Sequence, residues 1–462
     1  MKVVIVGGVA GGASAAARLR RLDENAEIVV FERTGFISYA NCGLPYFIGG
    51  VITDEEELTL QTPESFWDRF RVDVRVRHEV TAIHTGKKTV TVRGFDTGKT
   101  YEEHYDKLIL SPGAKPTQPN MPGADSKNIF TLRTIEDTLA IHRFIENKKP
   151  QSAVIIGGGF IGVEMAENLA ARGLKVTLLE YADHVLAPFD FDMACAIHAQ
   201  MENKGVHLML NTAVAAFEED GDQILTKTAN NGDISADMVL LSVGVTPDTA
   251  LAESAGLELG FRGSILVNDK METSVPDIYA VGDAVEVKHF VTGNRTLMSL
   301  AGPANKQGRI AADNICGQNS TYKGAQGSSI IRLFDMTAAS TGINEGAAKN
   351  AGIDYERVVL SPASHAGYYP GGKVMTMKVL YEKSTLKILG AQIVGYEGVD
   401  KRIDVLATAI RAGMKATELA ELDLAYAPPY SSAKDPVNMA GFMIENIVTG
   451  KVKQFHYDAV DA

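Results

Sequence analysis

One short pattern occurs twice in this chain and restricts its fold more than any other feature: a glycine-rich loop joining an apolar run to a helix. Gly157, Gly159 and Gly162 complete a G-x-G-x-x-G pattern between an apolar run at 153–156 and a helical stretch reaching 171, followed by a second apolar run at 176–180. The earlier copy has an apolar run at 2–6, the loop at 7–12, a helix ending near 22 and an apolar run at 28–32. The runs do not alternate with polar residues, as expected of parallel strands buried on both faces. Two such units predict an α/β chain with two Rossmann-like dinucleotide-binding domains.

At 462 residues the chain is too long for one core and has room for about three domains. Residues 88–93 alternate as an antiparallel strand does, and 108–112 read as another buried strand. From about 321 the character changes: 374–381 and 389–394 read as antiparallel strands and 399–412 as a helix, which makes an α+β piece. The expected division is a discontinuous first domain at 1–113 and 250–319, a second nucleotide domain at 114–249, a C-terminal α+β domain at 320–450, and a tail or linker at 451–462.

Several classes of function drop out early. The formal charge of −12 argues against nucleic acid, which needs a basic surface. No run reaches the roughly 18 apolar residues of a membrane span, and the glycines of 7–12 followed by Arg18, Arg20 and Arg21 suit a strand, loop and helix better than a signal peptide. Three scattered cysteines make no disulfide framework and fit a reducing cytoplasm.

In the second loop the first glycine makes the turn, the second lets backbone approach a pyrophosphate, and the third permits close helix packing. The helix N-terminus offers free N–H groups to phosphate. Glu180 stands where a ribose 2′-hydroxyl is bound; a carboxylate there repels a 2′-phosphate and no arginine follows closely, which favours NADH over NADPH. The first loop has Gly7 and Gly12 at the outer positions but Val9 at the middle one, with Gly8 and Gly11 keeping it pliable and Glu32 at the ribose position.

Cys42 lies in Ser38-Tyr-Ala-Asn-Cys-Gly-Leu-Pro-Tyr46. Gly43 and Pro45 mark a helix start, and a thiol there is expected to have its pKa lowered by the helix dipole. It has no C-x-x-C or C-x4-C partner. The second redox state is therefore a mixed disulfide with a substrate thiol, a persulfide or a sulfenic acid. Cys195 and Cys316, in helical stretches without such punctuation, are expected to be buried and inert.

Two further segments carry a resemblance. Residues 273–283, ending Tyr-Ala-Val-Gly-Asp283, and Ser111-Pro-Gly-Ala-Lys-Pro116 resemble the second FAD motif and the domain-linking segment of the two-dinucleotide-binding flavoproteins. The resemblance implies that the first domain binds FAD, with Asp283 on the ribitol chain. It also places Gly7, Gly8, Ala10, Gly11, Gly12, Glu32, Arg33, Asn41, Ser111, Pro112, Gly113, Gly282 and Ala301 around the flavin. Gly157, Gly159, Phe160, Ile161, Gly162, Glu164, Glu180 and Gly244 fall around NAD(P)H, where Phe160 gates the nicotinamide and Glu164 contacts it.

The Cys42 segment resembles the coenzyme A-disulfide reductase group of single-cysteine flavoprotein disulfide reductases, and the likeness runs over essentially the whole chain. That implies a homodimer, a C-terminal dimerisation domain, and coenzyme A bound as a small-molecule thiol, disulfide or persulfide. Related NADH peroxidases and oxidases carry a histidine in the first glycine loop; here Val9 and Ala10 stand there and no histidine precedes His78. Tyr368-Tyr-Pro370 and Tyr426-Ala-Pro-Pro-Tyr430 resemble the tyrosine segments that the partner subunit contributes in this group. Tyr368, Tyr426 and Tyr430 are thus expected to protonate the departing thiolate, whose basicity a phenol matches. Arg18, Arg20 and Arg21, with Ser38 and Asn41, are the expected coenzyme A contacts. Relatives in which a rhodanese domain follows imply a linker at the C-terminus and sulfane sulfur as substrate. An NADH oxidase or peroxidase, or an electron-transfer flavoprotein reductase that needs no cysteine, are the alternatives.

Overall fold

The structure is a computed structural model that describes residues 1–460. Both glycine-loop units form as parallel sheets. In the first, strands run in the order Ile278–Ala280, Lys107–Leu110, Lys2–Val6, Glu27–Glu32, Asp73–Val76. Val3, Val4 and Ile5 are fully buried, sharing one core with the helix Ala10–Leu22 and with Val80, Ile83, Val90 and Val92 of the antiparallel strands His78–His84 and Thr89–Gly94. In the second, the order is Ile129–Thr131, Met238–Leu241, Ser152–Ile156, Lys175–Leu179, His207–Met209. The chain thus leaves the first sheet, completes the second, and returns at Ile278–Ala280. Lys2–Val6 lies between Glu27–Glu32 on one side and Lys107–Leu110 on the other, which opens a crevice at its carboxyl end, where doubly wound sheets bind ligands.

The helix Ala10–Leu22 turns its small residues Gly11, Gly12, Ala15 and Ala16 inward against the helix Ala301–Ile315. The packing is so close that a Cβ on Gly308 would strike the carbonyl of Gly11. The third sheet is antiparallel, in the order Ser329–Leu333, Met336–Gly342, Ile388–Gly395, Met375–Glu382, Tyr355–Leu360, with the helix Val399–Ala412 on it. No helix among the described residues is long and apolar enough to cross a membrane.

A buried ion cluster ties the second nucleotide unit to this third sheet. Lys378 is fully enclosed; its ammonium meets Asp190 at 3.0 Å, Asp192 at 2.8 Å, and Glu345. Burial alone would depress the lysine, but the carboxylates outweigh it and hold its pKa above the usual value. Arg357 bonds the same Glu345 and reaches Asp458 in the tail at 2.6 Å. Gln454 bonds the Arg357 carbonyl and His456 bonds Glu356, so this part of the tail lies along the strand Tyr355–Leu360. Residues 461–462, which the sequence reading counts in the tail, lie outside the described residues.

Candidate active site

The two loops are wired alike. Gly8 N–H donates to Glu32 Oε2 at 2.9 Å, and Gly158 N–H donates to Glu180 Oε2 at 2.6 Å. The other Glu32 oxygen takes the N–H and hydroxyl of Thr34, and the other Glu180 oxygen takes Ala182 N–H. Gly7 and Gly157 both have positive φ, and a Cβ on Gly12 or Gly162 would collide with the carbonyl of Gly7 or Gly157. Ser111 closes the first loop, its N–H on the Val6 carbonyl; Ser242 closes the second, with its N–H on Ile156 and its hydroxyl on Gly157. Ser242 is not among the residues expected from sequence, although Leu241-Ser-Val-Gly244 repeats the pattern of Leu110-Ser-Pro-Gly113.

Both loops have the donors a dinucleotide needs. The helices Ala10–Leu22 and Phe160–Ala171 begin without any side-chain cap, so first-turn N–H groups remain open to an anion. Gly159 has an extended backbone and nothing within 4 Å of where a Cβ would stand. The protein itself therefore makes no demand for glycine there, and the open space fits an approaching pyrophosphate. At the first loop Val9 fills the corresponding place, half-buried.

Asp283 sits in a 3-10 turn just beyond the strand Ile278–Ala280, and Gly282 N–H is held by Gln307 at 2.7 Å. Arg133 Nη2 donates to Asp283 Oδ2 at 2.6 Å. Arg133 was missed in the sequence; it lies in a loop between a short strand and the Thr134 cap, with no motif around it. Arg33 pairs with Asp248 at 2.7 Å, and Ala301 opens the helix packed on the first loop. Ser38 N–H bonds the Gly8 carbonyl and Ser38 itself has φ of 45°, so the cysteine segment is pressed onto the FAD-side loop in a strained backbone.

Cys42 occupies the 3-10 turn Asn41–Gly43, ahead of the five-residue helix Leu44–Ile48 with Pro45 in its first turn. It is solvent-accessible, yet the expected low pKa is not what the surroundings impose. The protein packed beneath the thiol and the Glu164 carboxylate both push it up; Arg133 pulls the other way, and Asp283 adds to the rise. A single short turn supplies too little dipole to reverse this, and Arg133 is already paired. Cys42 nevertheless feels one acid on each nucleotide unit.

Glu164, in the first turns of the Phe160–Ala171 helix with Phe160 and Ile161 half-buried ahead of it, is pushed up to about 7 by burial and by Glu167, against a stabilising bond from Tyr46. Tyr46 is itself pushed up to about 12 by burial and Glu164. Both line a cavity of about 480 Å³ shared with Arg332, Tyr396 and Asp400. The other cysteines differ from expectation. Cys195 is exposed on the outer face of the helix Phe191–Asn203, and Cys316 is half-buried where the helix Ala301–Ile315 ends.

Tyr368 and Tyr426 come from different loops of the third domain, and their hydroxyls meet at 2.6 Å. That bond is the first cause of a raised Tyr426 pKa. Tyr368, Tyr426 and Tyr430 are all exposed, and among the described residues no hydrogen bond joins them to Cys42. Of the three arginines, Arg20 does not suit ligand binding: its guanidinium is spent on the carbonyls of Phe70, Asp23, Glu24 and Arg71, clamping the end of its helix. Arg18 pairs with Asp313 at 2.7 Å, and Arg21 lies over the Phe70 ring.

The model of the pyridine nucleotide-disulphide oxidoreductase family matches residues 1–308, and that family's dimerisation domain matches residues 329–436. Coenzyme A disulfide reductase of Staphylococcus aureus is 40% identical over 443 residues, which are 96% of this chain and 99% of that protein. Among solved structures, reduced Bacillus anthracis CoADR-RHD superposes with a TM-score of 0.97 at 52% identity, over 98% of this chain and 82% of that one. A NAD-dependent persulfide reductase from A. fulgidus gives a TM-score of 0.95 at 38% identity, over 98% and 85% of the two chains.

Proposed function

The chain belongs to the pyridine nucleotide-disulphide oxidoreductase family, and from that premise we propose a homodimeric, FAD-dependent enzyme that oxidises NAD(P)H and reduces coenzyme A disulfide, coenzyme A persulfide or polysulfide through Cys42. The observation that carries this reading is the position of Cys42. It is the one cysteine that feels both Glu164 of the second loop and Asp283 of the first. Three unpaired cysteines also suit a reducing cytoplasm as its location.

FAD, when bound, carries the electron pair of the nicotinamide to sulfur. The chain's own groups do the rest. The Cys42 thiolate attacks one substrate sulfur; the S–S bond breaks, Cys42 is joined to one half, and the other half leaves as a thiolate. Tyr426 or Tyr368, reaching across the dimer, gives that thiolate its proton and regains one from solvent. Two electrons then reopen the mixed disulfide. In total, one disulfide, one NAD(P)H and one proton yield two thiols and NAD(P)+. Glu180 directs the second site to NADH, while Asp283 and Arg133 hold the flavin.

The test is anaerobic NADH oxidation with coenzyme A disulfide, coenzyme A persulfide, polysulfide or peroxide as sole acceptor, wild type against Cys42→Ser. A sulfur substrate should exceed peroxide and lose its turnover in the serine variant. Undiminished sulfur reduction by Cys42→Ser would overturn the reading.

A further inference from the structure

The two tyrosine loops share one anchor. Arg402, on the helix Val399–Ala412, is 1% exposed and pairs with Asp435, 3% exposed, at 3.0 Å. The same guanidinium nitrogen, Nη2, also has the Ser364 carbonyl at 2.9 Å, the Ser431 hydroxyl at 3.1 Å and the Tyr430 carbonyl at 3.3 Å within reach, so its two hydrogens are shared among these acceptors. Its Nη1 holds the Gly398 carbonyl at 3.1 Å. Ser364 begins the loop that carries Tyr368, and its backbone closes that loop on Lys373 at 2.7 Å. Tyr430 and Ser431 end the loop that carries Tyr426. The loops also touch directly, Ala366 N–H on the Ser431 carbonyl at 3.0 Å. Asp435 accepts from Ser431 at 2.6 Å and caps the helix Pro436–Val448 through Val437 N–H.

A charge pair this deep is a poor source of net stability, since desolvation of both groups offsets their attraction. What it does supply is geometry: a guanidinium held rigidly on Asp435 brings one nitrogen, Nη2, within reach of carbonyls from two separate loops. Tyr368 is 75% exposed and Tyr426 45%, so neither is enclosed by the chain around it.

We propose that the buried Arg402–Asp435 pair is a positioning element of the active site, registering the two loops so that the Tyr368 and Tyr426 hydroxyls stay in contact. This rests on the reading above that the two phenols serve the sulfur chemistry. Neither Arg402 nor Asp435 touches substrate; both act through the tyrosines.

The decisive variant is Arg402→Met/Asp435→Leu, which removes both charges together and strands neither. Three readouts apply: the crystallographic Tyr368–Tyr426 hydroxyl separation, kcat and KM for the disulfide, and NADH oxidation by ferricyanide, which bypasses thiol chemistry. The hydroxyls should part beyond hydrogen-bond reach and disulfide kcat should fall by about tenfold or more, since misplacement by an ångström costs up to about a hundredfold. KM for NADH and ferricyanide reduction should hold at wild-type values. If the double variant fails to fold, Arg402→Lys keeps the charge but loses the fork, and the same split is expected. Hydroxyls still in contact would overturn the proposal whatever the activity. Hydroxyls apart with disulfide turnover intact would leave the positioning standing and overturn the tyrosine role.

Discussion

Arg133 donates to Asp283 at 2.6 Å, and this pair joins the loop after Ile129–Thr131 to the turn that closes the first sheet. Arg133→Met leaves a half-buried carboxylate without its partner where we place the flavin. Losing a charged hydrogen bond of about 1.5–3 kcal/mol predicts FAD held roughly tenfold to a hundredfold less tightly. Fluorescence of released FAD on dilution measures it; equal retention by wild type and variant would refute the assignment.

Glu180→Ala tests the nucleotide preference. Efficiency with NADH should drop by about tenfold to a hundredfold while efficiency with NADPH holds or rises, because the repelling carboxylate is gone. The ratio of kcat/KM for the two nucleotides is the observable, and an unchanged ratio would mean that Glu180 only stitches its loop.

Glu164→Gln should make Cys42 a stronger acid. The Glu164 carboxylate raises the thiol pKa, so its neutral replacement lowers it. Because Glu164 titrates at about 7, the wild-type charge is absent at lower pH and present above. Iodoacetamide should therefore alkylate variant and wild type alike below about pH 6, and the variant faster above about pH 8. A rate ratio independent of pH would contradict this.

Mixing Cys42→Ser subunits with Tyr426→Phe subunits should restore turnover if each site combines a cysteine from one protomer with tyrosines from the other. Random reassortment gives half heterodimers, each with one intact site, hence about a quarter of wild-type activity. Mixtures no more active than the separate variants would place the whole site within one chain.

Much of this was legible from residue pattern alone. The helix Val399–Ala412 and the parallel strands are where apolar spacing places them, because burial on both faces leaves an unbroken Val/Ile/Leu run. Arg133 was invisible because one arginine in a loop has no periodicity, and only the fold brings it to Asp283. Arg402 reads as one more charge on a helix; its burial depends on two distant loops closing over it. Residue type alone leads one to expect a buried Cys195, whereas its outward position on the helix decides its exposure. The thiol acidity expected of Cys42 needs a stronger field than a helix of five residues supplies.

Lys378→Met tests the cluster between the second unit and the third sheet. It would leave Asp190 and Asp192 without their cation and Glu345 with Arg357 alone, a loss of about 3–5 kcal/mol. Glu345 is held below its ordinary pKa: burial would raise it, but Lys378 and Tyr355 outweigh that. Its stabilising share is present above the unfolded carboxylate range and fades as pH falls through the folded value. The gap between wild type and variant in urea unfolding should accordingly be widest near neutrality and narrow in acid.

The paired wiring of Gly8 to Glu32 and Gly158 to Glu180 bears on how fast a nucleotide is captured. Each carboxylate already orders its loop in the free chain, so little conformational entropy remains to be lost when the ligand arrives. Association should then be governed by diffusional encounter and orientation, and differences in affinity among loop variants should reside in how quickly the nucleotide leaves.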